Sequence, residues 1–204
     1  MRVLVTREEL VARVEALGHD AVLCELIRVE PLGEEPVDAR AYDWLVVTSR
    51  NGAHELARRG ITANRIAAIG PATAEALRSH GLRVDLVAAA HTQEGLREEL
   101  PAGTVLLAAA EGARRGVLDA DFLPLYRTIE LRPEVPVADV ALLMSGSAAR
   151  ALAATGVHMR VVAIGPQTEA EARDVGLEVV SVAAVHDLDG LVEALRSLSW
   201  SSPS

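Results

Sequence analysis

Residues 65–100 read RIAAIGPATAEALRSHGLRVDLVAAAHTQEGLREEL, and residues 160–195 read RVVAIGPQTEAEARDVGLEVVSVAAVHDLDGLVEAL. Laid side by side without a gap, the two agree at half their positions. Upstream the match continues one residue out of step, Asp43-Trp-Leu-Val-Val-Thr-Ser against Asp139-Val-Ala-Leu-Leu-Met-Ser. A repeat of about 60 residues is too long for a stacked solenoid unit and points to duplicated domains. Inside each copy, apolar runs at 45–47, 66–69 and 82–87, and at 140–144, 161–164 and 177–182, are short and bounded by turn residues. That is the pattern of buried parallel strands. Between them run helices that stop at Gly60, Gly81, Gly156 and Gly176, where glycine tolerates the left-handed conformation. Helices start after Gly70-Pro71 and Gly165-Pro166, with proline in the first turn where its missing N–H costs nothing. Thr168 with Glu171, and Thr6 with Glu9, have capping-box spacing.

Working outward, residues 2–6, 8–17 and 21–29 predict a strand-helix-strand unit before the first copy. Residues 104–109, 112–119 and 122–129 predict another after it, and residues 123–130 align weakly on 23–30. The expected fold is therefore α/β, with two similar parallel-sheet domains of flavodoxin or Rossmann-like type. The inner domain, 41–127, is continuous; the outer one joins 1–30 to 137–204. The chain crosses between them twice, through 31–40 and 128–136, as a two-stranded antiparallel ladder. Residues 197–204 read as a Ser-rich tail to which no function is assigned.

Composition narrows the chemistry. Of 204 residues half are hydrophobic, but only Tyr42, Trp44, Phe122, Tyr126 and Trp200 are aromatic. All 20 basic residues are arginine. A chain without lysine forms no Schiff base and has neither a P-loop of the usual kind nor a lysine base. Net charge is −9, with 10 Arg against 11 acids in residues 41–130 and 10 against 18 elsewhere. An acidic chain poor in stacking aromatics is not expected to bind nucleic acid. The lone Cys24 leaves no internal disulfide or thiolate zinc site, and it falls in a predicted buried strand. No run approaches the apolar length of a membrane span, and the charged N-terminus does not resemble a signal peptide. A cytoplasmic monomer without a membrane partner is expected.

Chemistry-bearing residues fall where strands end. Thr6-Arg7, Thr48-Ser49-Arg50-Asn51 and Ser145-Gly146-Ser147 follow three strands; Gly70-Pro71-Ala72-Thr73 and Gly165-Pro166-Gln167-Thr168 follow two more. Helix N-termini there offer amide donors to anions, and open parallel sheets bind ligands at their carboxyl edge. With two such domains, the ligand is expected between them. For Thr73 and Thr168 taken singly, helix capping is the simpler role, and Ser49 and Ser145 are good N-caps. His91 and His186 recur at one repeat position, where starting a helix outweighs catalysis. Arg65 is a further possible carboxylate binder, although most arginines serve the surface. The remaining histidines show no ligand pattern, so no metal site is expected. No GxGxxG follows the first strand, which disfavours a nucleotide- or flavin-binding protein.

Val5-Thr6-Arg7, Tyr42–Gly52 (YDWLVVTSRNG), Ile69-Gly70-Pro71-Ala72-Thr73-Ala74, Tyr126-Arg127-Thr128 and Ile164-Gly165-Pro166-Gln167-Thr168 stand in one order that resembles the uroporphyrinogen-III synthase family. The resemblance runs from residue 2 to about residue 197 and implies two α/β domains joined by a ladder. It implies a lyase without metal or cofactor that cyclises the linear tetrapyrrole hydroxymethylbilane to uroporphyrinogen III, losing water and inverting ring D. Carried onto this chain, the substrate contacts would be Thr6, Arg7, Thr48, Ser49, Arg50, Asn51, Gly70, Pro71, Thr73, Ser145, Ser147, Gly165, Pro166, Gln167 and Thr168. Tyr126, the phenol on a crossing strand, would be the candidate general acid; its other reading is a structural aromatic of the ladder. The chain departs from the family in a shortened region at 110–121, in Met144 and in Gln167, so Thr73 ranks above Gln167 as a contact. The alternative is a sensor that binds an anionic tetrapyrrole-like ligand without turning it over.

Overall fold

The computed structural model describes residues 1–198; residues 199–204, including Trp200 and most of the Ser-rich tail, lie outside the described residues. The chain opens with β1 (Arg2–Val5), a 3-10 turn at Glu8–Leu10, α1 (Val11–Glu15), β2 (Asp20–Leu23), β3 (Ile27–Pro31) and β4 (Val37–Asp38). The first repeat copy holds β5 (Trp44–Val47), α2 (Arg50–Arg59), β6 (Ile61–Thr62), β7 (Ile66–Ala68), α3 (Pro71–Ser79), β8 (Leu86–Val87) and α4 (Gln93–Glu99). There follow β9 (Val105–Ala110), β10 (Asp121–Glu130), β11 (Val140–Leu143) and α5 (Gly146–Ala154). The chain ends with β12 (Arg160–Ala163), α6 (Pro166–Asp174), β13 (Glu178–Val182) and α7 (Leu188–Arg196). Ser197 closes α7, its hydroxyl donating to the Glu193 carbonyl at 2.9 Å.

Two compact units result, one of Met1–Arg28 with Ile129–Ser204, the other of Val29–Thr128. In the first, a parallel sheet runs β13-β12-β11-β1-β2. In the second, parallel pairing gives β10-β9-β5-β7-β8, and β3 neighbours β10 at the edge. The orders are equivalent: β11, β12 and β13 stand where β5, β7 and β8 stand, and β1 and β2 stand where β9 and β10 stand. The strand pair that precedes the repeat in one unit follows it in the other.

Alternation along each strand loads both faces of each sheet. Leu45 and Val47 of β5 pack with Ala53 and Leu56 of α2 and Ala74 and Leu77 of α3. Trp44 and Val46 point the other way, with Leu96 of α4. In the other unit Ala141 and Leu143 meet Ala148 and Leu152 of α5, while Val140 and Leu142 meet Val14 of α1 and Leu191 of α7. Leu56 and Leu152 are wholly buried; such a leucine is worth about 2–5 kcal/mol against alanine. With aromatics scarce, small Ala and Val side chains let helices lie close on sheets buried from both sides.

Glycine and proline punctuate the helices as expected. Gly60, Gly81, Gly156 and Gly176 follow helices at φ between 74° and 83°, and Pro71 and Pro166 stand in the first turns of α3 and α6. Three expectations fail. The strand expected over 21–29 is broken into β2 and β3, with the buried Cys24 between them and its thiol pushed up by burial. The helix expected over 112–119 is absent, the segment running as turns. Gly116 there has φ 86°, the Arg114 carbonyl accepts from Gln93 Nε2 at 3.2 Å, and the Arg114 guanidinium pairs with Glu94 at 2.6 Å. Leu118, buried, fills the sheet face in the helix's place. The capping boxes also fail: no side chain caps the turn at Glu8–Leu10 or α6, because Arg7 and Gly165 occupy the N-cap positions.

Candidate functional site

In the continuous unit, β9 and β5 are adjacent, but the chain leaves them toward opposite edges, to β10 and to β7. Such a switch point opens a crevice at the carboxyl ends of the strands. Thr48 and Ser49 follow β5 there, and Ser49 is the N-cap of α2, its Oγ accepting from the Gly52 N–H at 3.0 Å. The same oxygen lies 2.9 Å from the Tyr126 phenol oxygen. Asn51, in the first turn of α2, also hydrogen-bonds the phenol. Burial pushes the Tyr126 hydroxyl above its ordinary pKa, and the bonds from Ser49 and Asn51 offset this in part. The result is a phenol held in its protonated, proton-donating form.

An irregularity in β10 puts Tyr126 there. Pro124 opposes Ala109 and Tyr126 opposes Ala110, so Leu125 is an extra residue against β9. Strict alternation would send Tyr126 to the face of Phe122, which packs with Trp44 and Val46. The bulge turns it instead into the cluster of Leu45 and Val47, beneath α2. Proline cannot supply a ladder N–H, which is why the strand yields at this point. Sequence reasoning selected Tyr126 and Ser49 separately but not their pairing; the proline inside an apolar strand was the available signal.

The other unit has the same layout without a phenol. Its switch point lies between β1 and β11. Ser145 caps α5, accepting from the Ala148 N–H at 3.2 Å, and its Oγ stands 3.1 Å from Ser147 Oγ. Thr6 is buried after β1, its hydroxyl donating to the Leu142 carbonyl at 3.4 Å. Leu26, which the sequence aligns with Tyr126, is wholly buried. The two serine caps are thus alike as caps but differ in their second partner, a phenol in one unit and a serine hydroxyl in the other.

At the Gly-Pro turns, Gly70 and Gly165 are themselves the N-caps of α3 and α6. Thr73 and Thr168 are therefore not caps; they are the third residues of their helices, each 5% exposed. Pro71, Pro166 and Gln167 are exposed on the first turns. The helix starts expected of His91 and His186 belong to their successors, Thr92 and Asp187, whose side chains accept from the Gly95 and Gly190 N–H groups. Arg65 is engaged, its guanidinium lying 4.3 Å over the Trp44 ring and 3.7 Å from the Asp43 carboxylate. Arg7 and Arg50 differ. Among the described residues neither guanidinium has an ion-pair or hydrogen-bond partner, although most arginines of this acidic chain do. Each unit thus presents capped helix N-termini, hydroxyls and one unpaired arginine at the carboxyl edge of its sheet. That edge suits a ligand rich in carboxylates. Among the described residues no group of three or more His, Cys, Asp or Glu could hold a metal ion, and no helix is long and apolar enough to cross a membrane.

Comparison with known proteins meets this geometry from another side. The family described as Uroporphyrinogen-III synthase HemD matches residues 8–193. An Archaeoglobus fulgidus protein named "Putative uroporphyrinogen-III synthase" is 27% identical over 230 residues, covering 97% of this chain and 99% of its own. Among solved structures, a mutant uroporphyrinogen III synthase from Thermus thermophilus is 18% identical and superposes with a TM-score of 0.66. That match covers 96% of this chain and 97% of the other, a likeness of fold.

Proposed function

Because this chain belongs to the uroporphyrinogen-III synthase family, we propose that it cyclises hydroxymethylbilane to uroporphyrinogen III with loss of water and inversion of ring D. The family match across residues 8–193 carries this reading. The reaction needs a proton for the departing hydroxyl. Ring D then attacks through its substituted carbon to give a spiro intermediate, which opens and recloses. Since the pyrroles make and break the bonds, the protein's task is to position the chain and support developing charge. A site of hydroxyls, helix amides and arginines is suited to that task. We assign the proton to Tyr126, whose buried phenol keeps its proton and is held by Ser49 and Asn51.

The finer reading goes with it. The protein acts as a lyase without cofactor, as a cytoplasmic monomer. An inner domain spans 41–127, an outer one joins 1–30 to 137–204, and 31–40 with 128–136 form the ladder. The strand order β13-β12-β11-β1-β2 supports a flavodoxin-like assignment for the outer domain. Thr6, Arg7, Thr48, Ser49, Arg50, Asn51, Ser145 and Ser147, with the two Gly-Pro turns, would hold the substrate's carboxylates. The test supplies freshly made hydroxymethylbilane and separates the products by chromatography. Isomer III in excess over the spontaneous isomer I is expected; isomer I alone would overturn the assignment.

A further inference from the structure

Each copy of the repeat carries a histidine at the same distance beyond its Gly-Pro turn, His91 after Gly70 and His186 after Gly165. The structure returns both rings to those glycines. A Cβ built on Gly70 would stand 3.3 Å from His91 Cγ, and one on Gly165 would stand 3.2 Å from His186 Cγ and Cδ2. Each imidazole therefore lies against the residue that caps α3 or α6. Both histidines are exposed, and among the described residues neither ring has a hydrogen-bond or ion-pair partner. Helix capping does not account for them, since Thr92 and Asp187 perform it. His91 holds φ 53°, the one non-glycine residue among those described in the left-handed region.

A second observation points to what such a place would bind. Thr73 and Thr168 are 5% exposed, and among the described residues neither hydroxyl has a hydrogen-bond partner. Neither is among the polar atoms shut off from solvent without a partner, which are Trp44 Nε1 and Gln93 Oε1. Each hydroxyl thus opens through the small remaining exposure at the first turn of its helix. The first-turn N–H groups of α3 and α6 have no intrahelical acceptor. The Gly-Pro-x-Thr turns themselves contain no acid. Of the acids next to the second turn and its histidine, Glu169 pairs with Arg173 and Asp187 accepts from the Gly190 N–H. Ring N–H, threonine O–H and helix N–H are the polar groups each turn offers, all able to donate, a set that suits an acceptor-only, anionic group.

We propose that His91 and His186 are substrate-positioning residues, each donating a ring N–H to a carboxylate seated on the Gly-Pro turn that its ring covers. The carboxylates are the acidic side chains of the tetrapyrrole, so the identity of the ligand rests on the synthase reading. Replacing either histidine by phenylalanine keeps a ring over the glycine and removes the donor; asparagine keeps a donor and suits the left-handed backbone at position 91. For H91F and H186F, KM for hydroxymethylbilane rises roughly ten- to hundredfold, the loss expected for one hydrogen bond to a charged group. Turnover stays near wild type in both and melting temperature stays near wild type in H186F, whereas H91F melts lower because phenylalanine is strained at φ 53°; H91N and H186N recover most of the affinity. Fluorescence titration with uroporphyrin III, a stable polycarboxylic porphyrin, gives the same order of affinities without turnover. Unchanged affinity in H186F, whose backbone places no strain on phenylalanine, overturns the proposal for that turn. H91F decides the other turn by the same readout, with H91A taking its place if phenylalanine unfolds the chain. Failure of the wild-type protein to form isomer III counts against the synthase reading alone, because the porphyrin titration still tests the histidines.

Discussion

Tyr126 shows how one residue's chemistry depends on its neighbour in the chain. Pro124 forces the irregularity that moves the phenol to the face beneath α2, where Ser49 and Asn51 hold it. As the proposed acid for water loss it would contribute about 10²–10⁴-fold, so Tyr126→Phe should lower turnover within that range and leave the fold intact. An unchanged kcat would remove it from the role. The raised phenol pKa makes a separate prediction about stability. The folded state holds the proton more tightly than the unfolded chain, so this contribution is fully present below the unfolded tyrosine pKa. It is lost as pH rises from there through the folded value. Between about pH 8 and pH 11 the wild-type melting temperature should therefore fall further than that of Tyr126→Phe. Equal alkaline losses in the two proteins would contradict the buried, protonated phenol. The sequence identified the phenol because Tyr126-Arg127-Thr128 belongs to the ordered motifs of the family resemblance, but its hydrogen bond depends on a bulge in strand pairing that no spacing rule encodes.

Helices are the level at which the duplication is most legible and also where sequence reading erred. Glycine stops and proline starts are local facts of backbone geometry, and they hold in both copies. The segment 112–119 has glycine at both 112 and 116 and is held as turns by Gln93 and Glu94, residues far along the chain, so local propensity misjudged it. Caps separate the two units. Ser49→Ala and Ser145→Ala each remove a cap worth about 1 kcal/mol, which lowers the melting temperature by roughly 2–4 °C in a chain of this size. Only Ser49→Ala also strips the phenol of a partner, so kcat should fall in that variant and remain near wild type in Ser145→Ala. Gly190 offers a harsher test of helix entry. A Cβ there would lie 2.0 Å from the Val185 carbonyl oxygen, whereas one on Gly176 meets nothing within 4 Å. Gly190→Ala should thus destabilise by about 1–3 kcal/mol through overpacking. Gly176→Ala should cost about 1 kcal/mol from its positive φ alone, and thermal melts of the two variants rank them.

At the scale of the molecule, one strand order is reached by two chain paths. The unit of Val29–Thr128 is continuous and holds 11 Arg against 14 acidic residues; the other holds 9 against 15 and must bring its two ends together. The path was legible because the repeat left one strand pair over at each end, and parallel pairing of β1 with β11 and of β9 with β5 accommodates both. Both sheet faces of the continuous unit are covered by its own side chains, Leu56, Leu77 and Leu125 on one and Trp44, Leu96 and Leu118 on the other. A chain of about 100 residues with a two-sided core is large enough to be stable alone. Residues 29–128 expressed by themselves should therefore unfold in a single cooperative transition, with the Tyr126 phenol still titrating above its ordinary range because Ser49, Asn51 and the surrounding core are all retained. The fragment lacks Arg7, Ser145 and the Gly165-Pro166 turn, so it should leave only the spontaneous isomer I. A non-cooperative melt would mean that the core depends on residues outside 29–128. Isomer III from a folded fragment would mean that the continuous unit suffices for the reaction and that the second set of turns is not required.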